Sequence, residues 1–253
     1  MVAAAATFLH QNATAAIIDL GTASGYAILG GSEVTFTSPM NTVTGDVGVS
    51  PGSSISGVPA NLTLTGASTI NNGGAAQAQI DATLAYGVAA GAPTTGTILN
   101  NKLGELNLTP GVYSGGALDL TGVLTLTGGA NDVWIFQAAS SLITASGSSV
   151  VLTGGAQACN VYWQVTSSAT LGSGSFFDGT ILALTSITLG DGVTVDGRLL
   201  AQNGAVTLIH DTITVSDCTA NGGGVPDTGS TLLLLGSGLG TLLAFRRRFF
   251  SPA

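Results

Sequence analysis

Charge of either sign is scarce in this 253-residue chain: Asp, Glu, Lys and Arg make up only 7% of it. Of the five basic residues, three are the adjacent Arg246, Arg247 and Arg248. Lys102 and Arg198 alone remain to meet phosphates elsewhere, which excludes nucleic acid as a partner. Seven prolines, and glycines without a period of three, exclude collagen. Two His and two Cys leave little for a metal or redox centre, so no cofactor is expected. Low charge also excludes disorder, because 45% of the residues are hydrophobic. What is abundant is glycine, 38 residues, with Thr, Ser, Ala, Leu and Val. That composition fits many short strands separated by tight turns.

The two ends read as processing signals. Residues 1–16 are Ala-rich and hold Ala13-Thr14-Ala15, an A-x-A-like cleavage site, as in the remnant of a secretory signal. At the other end a Gly-rich linker and motif occupy 219–227, with an apolar segment and Arg cluster at 228–253. The motif is Val225, Pro226, Asp227, Thr228 and Gly229; Leu232 to Phe245 follow, then the three arginines. This order resembles a PEP-CTERM-type sorting tail of the VPD variant, read by an exosortase. It also resembles a sortase signal with Val in place of Leu. A permanent single-span anchor is the third reading, with the arginines on the cytoplasmic side. All three put the protein at the cell surface or outside, and confine membrane contact to the tail.

The middle, 17–218, is periodic. From Asp132 three classes of short strand recur. One holds Val133–Phe136, Val161–Trp163, Thr180–Ala183 and Arg198–Ala201. Another holds Ile143–Ala145, Ala169–Leu171, Ile187–Leu189 and Val206–Leu208. The third holds Val150–Leu152, Phe176–Asp178, Val193–Val195 and Ile213–Val215. Residues 144, 170, 188 and 207 step by 26, 18 and 19, and the third class keeps pace. Three strand classes advancing together describe a three-sided β-solenoid, whose coils bury a core only by stacking. Alternation predicts that Ile143 points inward and that Thr144, Thr170, Thr188 and Thr207 point outward in register. The first class is apolar on both sides and needs a cover. Residues 75–90 supply a helix, stopped by Gly91 and Pro93, with Ala76, Ile80, Leu84 and Val88 as its apolar stripe. Further short strands between Tyr26 and Leu64 read as early coils or a cap.

On these residues the chain resembles the ice-binding-protein-like family. The carrying motifs include Asp19-Leu20-Gly21-Thr22-Ala23, Gly45-Asp46-Val47-Gly48-Val49-Ser50-Pro51 and Leu108-Thr109-Pro110-Gly111-Val112-Tyr113. Asn131-Asp132-Val133-Trp134-Ile135-Phe136-Gln137, Asn160-Val161-Tyr162-Trp163-Gln164-Val165 and Gly197-Arg198-Leu199-Leu200-Ala201-Gln202 continue the series. The resemblance implies an all-β fold with one flanking helix: an irregular right-handed three-sided β-solenoid, the helix packed along one face. It also implies a monomeric, non-enzymatic protein whose partner is the surface of an ice crystal.

The expected ice-contact residues are Thr144, Ser146, Thr170, Ser173, Thr188 and Thr207. Stacked coils repeat at about 4.7–4.8 Å, and threonine has a stiff χ1, so such a ladder is preorganised. Thr144-Ala145-Ser146-Gly147 meets the first two positions of the family's T-[A/G]-x-[T/N] motif and fails the last. The alternative face carries Thr125, Val151, Thr194 and Thr214, with Phe177 also outward. Asp178-Gly179 and Asp196-Gly197 read as corner turns, against a Ca²⁺ or polysaccharide-cleaving carboxylate pair. Neither His10 nor His210 has a plausible Cys or acidic nucleophilic partner, so no catalytic residue is assigned. Relatives tend to carry cysteines in the contexts of Cys159 and Cys218. Outside the cytoplasm these pair as a disulfide, the alternative being free buried thiols. The competing functions are a structural or adhesive envelope protein and, with least support, a solenoid lyase or hydrolase.

Overall fold

The computed structural model describes residues 15–58, 60–215 and 218. The sorting motif, the tail and most of the N-terminal signal therefore lie outside the described residues. Among the described residues, no helix is long and apolar enough to cross a membrane.

Short parallel strands stack into three faces around one apolar core. Each coil contributes a strand to a seven-stranded sheet running Leu118–Leu120, Leu142–Thr144, Ala169–Leu171, Ile187–Leu189, Val206–Leu208, Glu33–Phe36 and Ser54–Ser56. The other two faces form one 15-stranded sheet. They are continuous because Phe176–Ala183 and Thr194–Ala201 each run through a corner from one face to the next. Gly179 and Gly197 make that corner, at φ +115° and +152°. A Cβ at Gly197 would meet the Gly179 carbonyl oxygen at 1.9 Å, so only glycine lets the two coils stack there.

The stacking order is not the chain order. Tyr26–Gly30 pairs with Thr194–Ala201, Glu33–Phe36 with Val206–Leu208, and Asn41–Thr44 with Thr212–Thr214. The first coils thus pack on the last one and cover an edge that would otherwise expose unpaired backbone groups. Asn41, fully buried, fastens the joint. Its Nδ2 donates to the Ser38 and Asn61 carbonyls, and its Oδ1 accepts the His210 and Asp211 amides. All the hydrogen-bonding capacity of its side chain is used, and its Oδ1 bonds bridge 169 and 170 residues of sequence, which is what burying an amide requires.

The face predicted to need a cover has one. Its strands send Trp134, Phe136, Trp163, Ile181, Leu199 and Ile28 into the core. Ile135, Tyr162, Leu182, Leu200 and Leu29 go outward under the helix. The Phe136 and Trp163 rings stack at 4.0 Å. The helix spans Gly73–Gly91, capped by Asn72, whose side chain accepts the Ala75 amide. Its buried stripe is Ala75, Ala78, Ala82, Ala85 and Ala89, not the expected Ala76, Ile80, Leu84 and Val88. Ile80, Leu84 and Val88 are exposed at 55%, 65% and 58%. The sheet supplies the bulk in this layer, so the helix contributes small side chains that let its axis come close. Either stripe has helical spacing; the size of the opposing side chains selects the alanine one. Gln137 Nε2 donates to the Ala89 and Ala92 carbonyls and ties down the helix end.

Candidate functional site

Most strands of the seven-stranded sheet are three residues long and present one side chain outward between two inward ones. The registers align these outward residues in one column: Asp119, Ile143, Thr170, Thr188, Thr207, Thr35 and Ser56. Four threonines, Thr170, Thr188, Thr207 and Thr35, are consecutive. Parallel pairing spaces them at about 4.7–4.8 Å, and their χ1 stiffness keeps methyls and hydroxyls in a repeated orientation. Thr170 and Thr188 are exposed; Thr207 and Thr35 are half-buried. No charged residue interrupts the four.

Thr144 and Ile143 point to the opposite sides from those expected. Thr144 is inward and 3% exposed; its Oγ1 accepts the Gly172 amide at 2.9 Å and holds the next coil's corner. Ile143, expected inward, is 46% exposed and pairs with Thr170 in the column. The true step is from 143 to 170, one residue longer than the step of 26 read from threonine to threonine, and a shift of one exchanges the faces of a strand. Thr35 is the member that sequence reading missed. It belongs to the first coil, and only the return of that coil onto Val206–Leu208 brings it into line. Ser146 and Ser173 are exposed in the corners beyond the strands, outside the column; Ser173 Oγ accepts the Asp191 amide.

The third face has two outward columns. Thr125, Val151, Asp178, Asp196 and Thr214 fall in one; Phe176 and Thr194 fall in the other. Phe177, expected outward, is 1% exposed in the core, and Phe176 is 61% exposed. The phase is set by the corner at Gly179 rather than by the neighbouring aromatic. Asp178 and Asp196 are register partners at that corner. Burial, and then the neighbouring Asp196 carboxylate, push the Asp178 pKa from 3.8 to about 7. In the unfolded chain this carboxyl ionises near 3.8, so its contribution to stability is fully present below that pH. It is lost as pH rises to about 7 and constant above. Buried Asp211 is shifted upward by burial too and adds in the same direction. Thermal melting should therefore fall between pH 4 and pH 7. Asp178→Asn should flatten that slope and raise stability at pH 8 by about 2 kcal/mol, once screening at the partly exposed edge is allowed for. A melting temperature of the variant at pH 8 equal to or below the parent's would refute the raised pKa of Asp178.

Cys159 and Cys218 form a disulfide, with Cα atoms 5.5 Å apart. His210 Nδ1 lies 3.4 Å from Asp191 Oδ1, at an exposed corner. Among the described residues no group of three or more His, Cys, Asp or Glu could hold a metal ion.

The described residues form a helix-covered solenoid with two open faces, one of which carries four consecutive threonines in register. The chain belongs to the ice-binding-like family, whose model matches residues 28–214. It is 47% identical over 260 residues to an ice-binding protein of Nostoc sp. (strain HG1), covering 98% of this chain and 94% of that one. It is 39% identical to an ice-binding protein of Colwellia sp., covering 78% and 83%. Among solved structures, an ice binding protein from an Antarctic biological consortium superposes with a TM-score of 0.78 at 40% identity, covering 83% of this chain and 96% of that one. One from Antarctomyces psychrotrophicus gives 0.74 at 37%, covering 79% and 98%. Residues 224–249 match the VPDSG-CTERM motif.

Proposed function

We propose that this protein adsorbs to ice through the outer side of its seven-stranded sheet and slows ice growth and recrystallisation, without enzymatic activity. The observation that carries this reading is the run of Thr170, Thr188, Thr207 and Thr35 in register on four adjacent strands. Each rung offers a methyl that orders water and a hydroxyl that anchors it, repeated at about the inter-strand spacing, which is close to a repeat of the ice lattice. A flat row without charge suits this contact, because ions impose their own hydration. The third face is broken at its centre by Phe176 and the Asp178–Asp196 pair, which favours the seven-stranded sheet as the principal contact. In a recrystallisation assay in frozen sucrose, the folded protein keeps crystals small and the heat-denatured protein does not; equal coarsening in both would defeat the reading.

The motif match at 224–249 supports a site of action outside the cell. We infer export, with the tail read by an exosortase or sortase and the solenoid released or displayed as a monomer. Intact mass of protein recovered from the native host should show loss from about Val225 onward. A full-length C-terminus in the envelope fraction would instead establish a permanent anchor.

A further inference from the structure

Three Thr-x-Thr tripeptides lie far apart in the sequence, at Thr42 and Thr44, Thr63 and Thr65, and Thr212 and Thr214. Because the first coils return onto the last, the structure sets them side by side on the third face. Thr212 pairs with Thr42 and Thr42 with Thr63; Thr214 pairs with Thr44 and Thr44 with Thr65. All six side chains are exposed. The residues between them point inward: Ile213 and Val43 are fully buried, and Leu64 is partly so. The result is a two-dimensional array, with rungs about 4.8 Å apart across the strands and about 6.7 Å apart along them.

The hydroxyls distinguish this array from Thr127 and Thr153 on the same face. Farther along it, Thr127 Oγ1 is tied to Thr153 Oγ1 and to Asn107 Oδ1, both at 2.8 Å. Among the described residues, none of the six array hydroxyls has a protein hydrogen-bond partner. Their capacity is left for what lies outside. The patch carries no charge of its own and gains a fourth rung in one column from Thr194; Asp196 bounds it on that side.

We propose that these six threonines form a second ice-contact patch, separate from the column on the seven-stranded sheet. Its ligand is ordered water of the ice lattice, met on a plane different from that met by the first face, because the two faces are different sides of the solenoid. This rests on the reading that the protein binds ice at all. A lattice plane with two short repeats is matched in both directions here, whereas the single column of the first face matches in one. Two patches on one solenoid allow the molecule to take up more than one family of ice planes and to sit where two planes meet.

The test uses full-length protein labelled at Lys102, the one lysine of the chain, adsorbed to a hemisphere grown from a single ice crystal. Four samples are compared: parent, Thr188→Tyr, Thr42→Tyr and the double variant. Melting curves confirm the fold of each, and Thr63→Tyr on the edge strand replaces Thr42→Tyr should that variant not fold. The expected result is that the parent lights two sets of planes. Each single variant loses one set and keeps the other, and the double variant is dark. A Thr42→Tyr pattern identical to the parent's, with Thr188→Tyr dark, overturns the second patch and leaves the proposed function standing. A parent that lights no plane overturns both.

Discussion

Replacing Thr188 with tyrosine should abolish most of the ice activity while leaving the melting temperature where it was. Thr188 is the second of four consecutive rungs, paired with Thr170 on one side and Thr207 on the other. A phenol ring there stands several ångströms above the row and holds the crystal surface away from its neighbours as well as from itself. The effect is therefore larger than the loss of one side chain. A loss of about 1.4 kcal/mol in adsorption energy already lowers affinity about tenfold, and at least that drop in recrystallisation inhibition is expected. The outward position predicts a stability change within about 0.5 kcal/mol. Thr83→Tyr, on the exposed side of the covering helix, is the matched control and should leave activity unchanged. If Thr83→Tyr is as damaging as Thr188→Tyr, the loss is not specific to the column.

Removing the disulfide should have the largest effect on stability. Cys159 and Cys218 are 59 residues apart in sequence and join the end of the described chain to a coil near the middle of the stack. The loop they close contains the coils on which the N-terminal strands dock. Its chain-entropy contribution is about 4 kcal/mol, or about 10 °C in melting temperature for a domain of this size. The double variant Cys159→Ser/Cys218→Ser should melt lower by that order, and the parent should show the same drop after reduction. A melting temperature unchanged by reduction would mean that native packing alone holds residue 218 in place. Because both cysteines lie away from the threonine column, ice activity measured well below the melting point should survive.

Much of the fold is legible in the residues because a solenoid repeats itself. Thr170, Thr188 and Thr207 recur at nearly equal steps between inward aliphatics, so alternation is enough to place them. The face under the helix is legible from strands such as Val161–Val165, apolar on both sides. What escapes has identifiable causes. Alternation puts Thr144 and Phe177 one residue out of phase, because a corner can absorb a residue without leaving a mark in the composition. The buried helix stripe escapes because isolated periodicity favours large residues, whereas packing against Tyr162, Leu182 and Leu200 favours small ones. Thr35 and the Thr-x-Thr array were out of reach for another reason. Nothing in the local sequence says that residues 26–65 stack on residues 194–214; that pairing is set by which edge of the finished stack would otherwise stay open.

The central claim is that the folded chain binds ice, and partition between ice and liquid measures this most directly. A solution of the protein is slowly frozen onto a cold finger until about half of it is ice, alongside an inert globular protein of similar size. Adsorption through the threonine column predicts enrichment in the ice relative to the inert protein, and loss of most of that enrichment in Thr188→Tyr. If the parent stays in the liquid with the inert protein, the solenoid does not bind ice, and its regular faces serve the cell envelope in another way.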